Sequence, residues 1–316
     1  MLLSDFIKKR LLPAVVRGGF VRMLPIVVLP AGPLAAQVSV STTYFQGSDY
    51  HNEGHTRTGT ANISLTEAGV NLPFYKDISE DKRHIDVWTA FVNGKYLKIN
   101  ETSRPQMLPT SKVMNLLTGI GHVRTLGSRW TLVGGGGVGL CTDESRFSHL
   151  RWQNVLLAAM GTFIYKVNDN LDLGAGLMAT NAFDTPIVLP TLYAKWRSRG
   201  RYSFDLASTS YDIQASLGLQ LSPSVRFSWV AGHRRIGAPV DKEEEKEQYY
   251  SFSALTSGFR TEFKIGKHLT LPVEAGYVLR TTAQYRRRRV SSLLHTKEKF
   301  SYSSCPYISI ALKMGG

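Results

Sequence analysis

The chain has 316 residues, a formal net charge of +14 and 43% hydrophobic residues. This length suits two average domains or one large β domain. The mean hydropathy of −0.13, without an uninterrupted run of 18 apolar residues after the amino terminus, excludes a helical membrane protein. A low hydropathy is compatible with a transmembrane β-barrel, because only alternate residues of each strand touch lipid.

Residues 1–37 predict a secretory signal peptide. Basic residues from Lys8 to Arg10 precede a 14-residue apolar stretch, Met23 to Ala36, which ends in small residues. We expect cleavage near Ala36 or Gln37; the alternative, a membrane anchor, is disfavoured by the shortness of the stretch and its three prolines. The remaining chain carries 33 Lys and Arg against 23 Asp and Glu, and this excess favours contact with anionic lipid phosphates.

Residues 38–316 predict one domain, an outer-membrane β-barrel built of amphipathic strands. The clearest strand is 211–221, in which every odd position is apolar and every even position is polar or glycine. The Asn93-Gly94 pair is compatible with a hairpin turn, but we prefer a bulge within a continuing strand. The predicted strands are 38–45, 58–66, 85–99, 113–124, 130–140, 152–167, 171–182, 190–197, 202–207, 211–221, 225–236, 249–265, 269–286 and 300–314.

The connections between these strands alternate in length. Three-residue turns are predicted at 126–128, 168–170, 198–200, 222–224 and 266–268. Longer polar loops are predicted at 46–57, 100–111, 142–151, 183–189, 237–248 and 287–298. Two connections depart from this pattern, a long one at 67–83 and a very short one near 208–210. Short turns on one rim and long loops on the other indicate an antiparallel up-and-down transmembrane barrel of about 14 strands, with 12 as the fallback.

Aromatic residues form two predicted belts, one near each rim, where a bilayer has its interfaces. The alternative is ordinary cross-strand aromatic pairing. The short-turn belt comprises Trp130, Phe163, Tyr165, Trp196, Tyr202, Phe227, Phe259 and Phe263. The long-loop belt comprises Tyr44, Trp152, Tyr211, Tyr249, Tyr250 and Tyr285.

The signal peptide, the up-and-down strands and the passage from Leu189-Pro190 to Gln220 together resemble an uncharacterised family of bacterial outer-membrane β-barrel proteins, classed as a domain of unknown function. The resemblance covers roughly residues 38 to 314. It implies the barrel fold and a location in the bacterial outer membrane, but no activity.

The polar face of the strands carries charged residues that alternation directs into the lumen. They are Lys195, Arg197, Asp205, Asp212, Arg226, Arg260, Glu262, Lys264, Glu274 and Arg280. Charges inside a narrow barrel must be paired or hydrated. One interpretation is therefore a network of ion pairs that fills the lumen; the other is a passage or binding cavity for small polar solutes, with surplus Lys and Arg favouring anions.

Two arginine clusters lie at the predicted outer ends of strands. They are Arg234-Arg235 and Arg286-Arg287-Arg288-Arg289. Because guanidinium groups match phosphate oxygens, we expect them to contact lipopolysaccharide head groups, with a merely solvated charge run as the alternative.

No motif predicts an enzyme, a cofactor, a metal or a nucleic-acid partner. The glycine-rich residues 132–139 lead into another strand, whereas a phosphate loop needs a following helix. His51 and His55 are isolated loop histidines, and Cys141 and Cys305 are expected to be buried thiols, with a disulfide as the alternative. An outer-membrane lipase remains an alternative, although no compact motif of Ser and His is present, and His149, next to Ser148, and His233 stand alone.

The sequence thus favours a non-enzymatic barrel of the bacterial outer membrane, exported by a signal peptide and in contact with membrane lipid and lipopolysaccharide. The first functional hypothesis is a small-solute pore or binding barrel with a charged lumen. The second is a structural or surface-interaction barrel with a plugged lumen.

Overall fold

The computed structural model describes residues 36–52, 58–80, 84–102, 110–143, 151–182, 186–198, 201–208, 212–242, 245–287 and 298–315. Residues 1–35 of the predicted signal peptide lie outside these ranges. The described strands are β1 (Gln37–Asn52), β2 (Thr58–Ile78), β3 (Ile85–Glu101), β4 (Lys112–Thr125), β5 (Trp130–Thr142), β6 (Val155–Asn168), β7 (Leu171–Thr180), β8 (Ile187–Arg197), β9 (Tyr202–Ser208), β10 (Ile213–Ser222), β11 (Val225–Lys242), β12 (Glu245–Ile265), β13 (Leu269–Arg287), β14 (Glu298–Tyr302) and β15 (Cys305–Met314). Among the described residues, no helix is long and apolar enough to cross a membrane.

The strands form a closed antiparallel up-and-down barrel. Strands β1 to β13 each pair with the next along the chain, and β15 closes the ring on β1, where Val38 is the partner of Met314. Strands β14 and β15 both pair with β13 on one side and with β1 on the other, so they share one position in the wall. In the described part of the chain the wall therefore has fourteen positions, which confirms the predicted fold and strand number.

Several strands are longer than predicted. Residues 67–78 continue β2 instead of forming a long connection, and β2 reaches the turn at Ile78, which pairs with Ile85. A register shift at Phe74 absorbs one extra residue there. The predicted bulge at Asn93-Gly94 is wrong, because both residues pair regularly with β2 and β4. The departure from the short-turn rule at 67–83 thus disappears.

The outer face of the wall is apolar. Leu217 and Phe227 are 51% and 36% exposed and point outward, whereas Asp212 and Arg226 point inward, as alternation predicts. Other large apolar side chains exposed on this face are Leu72, Val92, Leu116, Ile120, Val138, Leu157, Leu177, Val188, Leu192, Phe259 and Ile310. Such a band of outward apolar side chains is typical of a barrel that meets lipid.

The two predicted aromatic belts have different outcomes. At the short-turn rim, Trp130 packs against Tyr165 with ring centroids 4.8 Å apart, and Phe227 stacks on Phe259 at 5.5 Å. At the long-loop rim, Tyr44 and Trp152 are exposed, but Tyr249, Tyr250 and Tyr285 are buried, so their assignment to an interfacial belt is wrong. Tyr211 lies outside the described residues.

The glycine-rich run belongs to β5 and allows the wall to curve. A Cβ atom added to Gly137 would lie 2.5 Å from the carbonyl oxygen of Thr118, and one on Gly139 would lie 1.9 Å from that of Leu116. These distances are too short for any real side chain. Residues 132–139 therefore serve close packing of adjacent strands, as glycine in a strand interior often does.

Candidate functional site

The barrel lumen collects most of the charged residues of the described strands, and the first group bridges opposite walls. The Lys95 ammonium on β3 lies 3.2 Å from a Glu67 carboxylate oxygen on β2. It also forms a short ion pair with Asp212, which precedes β10 on the far side of the barrel. Asp212 in turn accepts a hydrogen bond from the backbone N–H of Arg235 at 3.1 Å. This group therefore ties β2 and β3 to β10 and β11 through the lumen.

A second bridge is centred on Arg234 of β11. Its guanidinium donates a hydrogen bond to the Thr43 hydroxyl on β1 at 2.6 Å. It also lies 3.8 Å from carboxylate oxygens of both Glu67 and Glu274. Arg234 thus links β11 to β1 and β2, which are far from it in strand order.

Glu274 is the most buried carboxylate of the lumen. Its residue is only 3% exposed, and it accepts hydrogen bonds from the Arg260 guanidinium at 2.6 and 2.8 Å and from the Tyr307 hydroxyl at 2.6 Å. Strand register brings Glu274 and Arg260 together, since they are direct partners on β13 and β12. Because both oxygens are satisfied, the charge is tolerated at this depth.

A third group lies nearer the short turns. Arg226 on β11 donates hydrogen bonds to Asp205 and to the Ser203 hydroxyl of β9, each at 2.7 Å, and lies 3.9 Å from Glu262 of β12. These contacts connect β9, β11 and β12 within a run of four adjacent strands, so they cross less of the lumen than the two bridges above.

An apolar layer of buried residues lies inside the barrel above these charges, on the long-loop side. It contains the buried residues 236–240 of β11 and 248–252 of β12. The strand segments that carry them, 234–242 and 245–254, are called the in-folded hairpin below. All five residues from Ile236 to Val240 are buried, so both faces of this strand segment are covered. The side-chain amide of Asn115 on β4, oriented to satisfy its hydrogen bonds, donates to the Gly237 carbonyl oxygen at 2.9 Å. The hairpin therefore leans across the barrel and packs against β4 and β5.

Aromatic side chains complete this layer. Tyr50 packs against Tyr302 with ring centroids 5.4 Å apart, and Phe252 meets Tyr302 edge-on at 6.5 Å. Tyr250 and Tyr302 are themselves buried in this layer.

A cavity of about 380 Å³ lies in the lumen beneath this layer, on the short-turn side. It is flanked by charged and polar side chains of the first strands and the last. The charged and polar side chains that line it include Ser39, Ser41, Glu67, Asn93, Lys95 and Lys313.

Nine of the ten lumen charges predicted from sequence point into the barrel. They are Lys195, Arg197, Asp205, Asp212, Arg226, Arg260, Glu262, Lys264 and Glu274, as the register pairs on β8 to β13 show. The prediction for Arg280 is wrong. A register shift leaves Leu279 without a partner and sets Arg280 opposite Leu255, so that the arginine is exposed on the outer face.

Sequence reasoning missed several residues of the lumen, and four of them are charged residues that form the bridges or line the cavity. Glu67 was assigned to a loop, and Arg234 was assigned to the outer rim. Lys95 comes directly after the wrongly predicted bulge at Asn93-Gly94, and Lys313 was not included among the inward residues. The alternation of β15 carried a signal for Lys313, because Tyr307, Ser309 and Lys313 share one face of that strand.

The expectation of lipopolysaccharide contacts fails for two of the arginines. Arg234 is engaged inside the lumen, and Arg286 is only 7% exposed. Arg234 is the first residue of the in-folded hairpin, and Arg286 is the register partner of Tyr249 in that hairpin. Arg235 is partly buried beside them. The side chains of Arg287, Arg288 and Arg289 lie outside the described part of the chain, and their contacts stay a prediction.

The remaining chemical candidates do not converge. Cys141 and Cys305 are both buried free thiols, as expected. The alternative, a disulfide between them, is wrong. His51 is exposed, whereas His55, Ser148 and His149 lie outside the described residues. Within the described ranges no group of three or more His, Cys, Asp or Glu side chains is placed to hold a metal ion.

Fold and lumen together define a closed β-barrel of the kind found among bacterial outer-membrane proteins, with a charged and bridged interior. The domain-of-unknown-function family DUF6268 matches residues 33–315, and the chain belongs to that family. No curated protein matches the chain.

Solved structures with a similar fold are distant in sequence. An outer-membrane channel from Pseudomonas putida F1 is 9% identical with a TM-score of 0.44, over 90% of this chain and 97% of that chain. The Pseudomonas putida toluene transporter TodX is 10% identical with a TM-score of 0.33, over 90% of each chain. LpxR from Salmonella typhimurium is 9% identical with a TM-score of 0.35, over 88% of this chain and 99% of that chain.

Proposed function

We propose that this protein is a non-enzymatic barrel of the bacterial outer membrane that binds small polar solutes and conducts them when its in-folded hairpin is displaced. The apolar outer band supports the membrane location. The single observation that carries the role is the pair of bridges across the lumen, Lys95 to Asp212 and Arg234 to Thr43. They hold the hairpin against the opposite wall, and on this proposal the described barrel is the closed state.

The arrangement suits a gate better than a permanent brace. A lumen that only needed stability would be filled more favourably by apolar side chains, since buried ion pairs add little net stability. Charged side chains that lie between an apolar layer and an open cavity can instead exchange protein partners for water or solute. The cavity beneath the hairpin gives a solute from the short-turn side a place to bind before passage.

A liposome swelling assay tests this role. Replacing residues 237–251 with Asn-Gly joins the register partners Ile236 and Phe252 through a two-residue turn and removes most of the in-folded hairpin. Liposomes with this variant should swell in small polar solutes much faster than liposomes with the wild type. The matched control, deletion of residues 289–296 from the sequence between β13 and β14, should resemble the wild type.

The second candidate is a structural or surface-interaction barrel with a plugged lumen. The same two bridges favour this role if they are permanent. In that case the hairpin-trimmed variant would remain impermeable, and loss of the long loops rather than of the lumen charges would abolish partner binding. Lipopolysaccharide contacts by Arg287, Arg288 and Arg289 belong to this proposal as well.

A further inference from the structure

The charges on the inner face separate into a paired group and an unpaired group. The paired group comprises the bridges and the Arg226 and Arg260 clusters described above. Two lysines nearer the short turns, Lys264 and Lys313, have no carboxylate within ion-pair distance among the described residues. The carboxylates that act on Lys313 electrostatically, Glu262 and Glu274, are already engaged by Arg226 and Arg260. On the wall formed by β12, β13 and β15, the unpaired charge is therefore positive.

Strand register places these two lysines in one row. Lys264 is the partner of Thr270, and Thr270 is the partner of Lys313. With neighbouring strands about 4.8 Å apart, the two lysine Cα atoms are roughly 10 Å from each other. Both side chains point inward, so their flexible ammonium groups can approach the same bound group.

The same row continues with hydrogen-bond donors. Lys313 is the partner of Ser39 on β1, Ser39 of Gly69 on β2, and Gly69 of Asn93 on β3. A Cβ atom on Gly69 would lie 2.6 Å from the Asn93 side-chain oxygen, so the glycine leaves room for that amide. Ammonium, hydroxyl and amide groups thus line one continuous arc of the inner wall.

This arc borders the cavity of about 380 Å³, whose lining includes Ser39, Asn93 and Lys313. Ser39 and Lys313 are both exposed to the lumen, so water and small solutes reach them. The volume falls at the small end of the range of about 300–1,000 Å³ that is typical of ligand pockets. The site is thus sized for a small metabolite rather than a polymer.

We infer that this arc is a binding site for the oxyanion of a small solute, a carboxylate or a phosphate, with Lys313 as the principal counter-charge and Lys264 as its neighbour. An oxyanion accepts charge-assisted hydrogen bonds from ammonium groups and further bonds from hydroxyls, and these bonds strengthen where the surrounding dielectric is low. The site rests on the solute-binding part of the proposed function and does not require conduction.

Isothermal titration of the full chain, refolded in the uncharged detergent dodecyl maltoside, tests the site with inorganic phosphate, acetate and choline as probes. Wild-type protein should bind phosphate or acetate saturably, and the ratio of the two affinities identifies the preferred oxyanion. Choline should not bind at the same site. Lys313→Gln should weaken binding by about tenfold or more, since it removes a charge-assisted hydrogen bond.

Three further variants make the test specific. Lys313→Arg keeps the positive charge and should stay within about threefold of the wild type. Lys264→Gln should weaken binding by less than Lys313→Gln. The matched control is Lys166→Gln, because Lys166 lies near the same rim but is paired with Asp169 at 2.8 Å; it should not change the affinity.

Absence of saturable anion binding in the folded wild type would overturn the inference, as would an unchanged affinity in both Lys313→Gln and Lys264→Gln. If Lys313→Gln does not fold, Lys264→Gln and Ser39→Ala carry the test, and full affinity in both would refute the site. A hairpin-trimmed barrel that conducts nothing would refute the gating proposal alone, because anion binding is measured on the closed barrel.

Discussion

Replacing Glu274 with Gln should be among the most destabilising single changes in the lumen. The substitution retains size but removes the charge that accepts two hydrogen bonds from Arg260 and one from Tyr307. The Arg260 guanidinium, whose side chain is 14% exposed, would remain without its ion pair. Removing one partner of a buried pair costs about 3–5 kcal/mol, and the residual lumen access of Arg260 argues for the lower end, about 3 kcal/mol.

This loss corresponds to roughly a hundredfold change in the unfolding equilibrium constant. Urea titration of the barrel refolded in lipid vesicles, followed by tryptophan fluorescence, measures it. The double variant Arg260→Gln/Glu274→Gln should lose less than the sum of the two single variants, because no unpaired charge remains. The control is Asp169→Asn, which removes the exposed pair with Lys166 and should leave the transition unchanged. A Glu274→Gln transition that coincides with the wild type would refute the burial argument.

Three other outcomes follow from the structure. Gly137→Leu should prevent refolding, because even its Cβ would meet the Thr118 carbonyl oxygen at 2.5 Å. The control Gly136→Leu, on the opposite face, should refold, because a Cβ there has no contact closer than 3.5 Å. Gel mobility without heating distinguishes folded from unfolded barrel, and equal refolding of the two variants would contradict the steric explanation. Cys141 and Cys305 should react with a thiol reagent only after denaturation, and rapid labelling of the native barrel would show that they are accessible. Arg280→Ala should leave the urea transition nearly unchanged, since Arg280 lies on the outer face, and a large shift would return it to the lumen network.

The regular wall was predictable from sequence because each strand there has one lipid face and one lumen face. In β10, alternation from Ile213 to Leu221 directly encodes that difference. The in-folded hairpin was not predictable in the same way. Its residues 236–240 are buried on both faces, so alternation carries no information, and Gly237 and Pro239 are residues typical of turns. A loop was therefore the natural prediction for a segment that is in fact paired strand.

The lumen contacts were predictable only in part. Alternation identified Arg260 and Glu274 as inward residues, and register alone makes them partners. The bridge from Lys95 to Asp212 joins residues 117 positions apart on opposite walls, so it depends on how the barrel closes and not on any local pattern. The error at Arg280 has a local cause, because a bulge reverses alternation without leaving a distinctive residue behind.

Single-channel recording in planar bilayers tests most directly whether the in-folded hairpin closes the lumen. The wild type should insert and remain predominantly non-conducting, while the variant with residues 237–251 replaced by Asn-Gly should conduct in stable steps. Stable open channels from the wild type, with no further increase of conductance in the trimmed variant, would contradict the proposal that the in-folded hairpin closes the lumen.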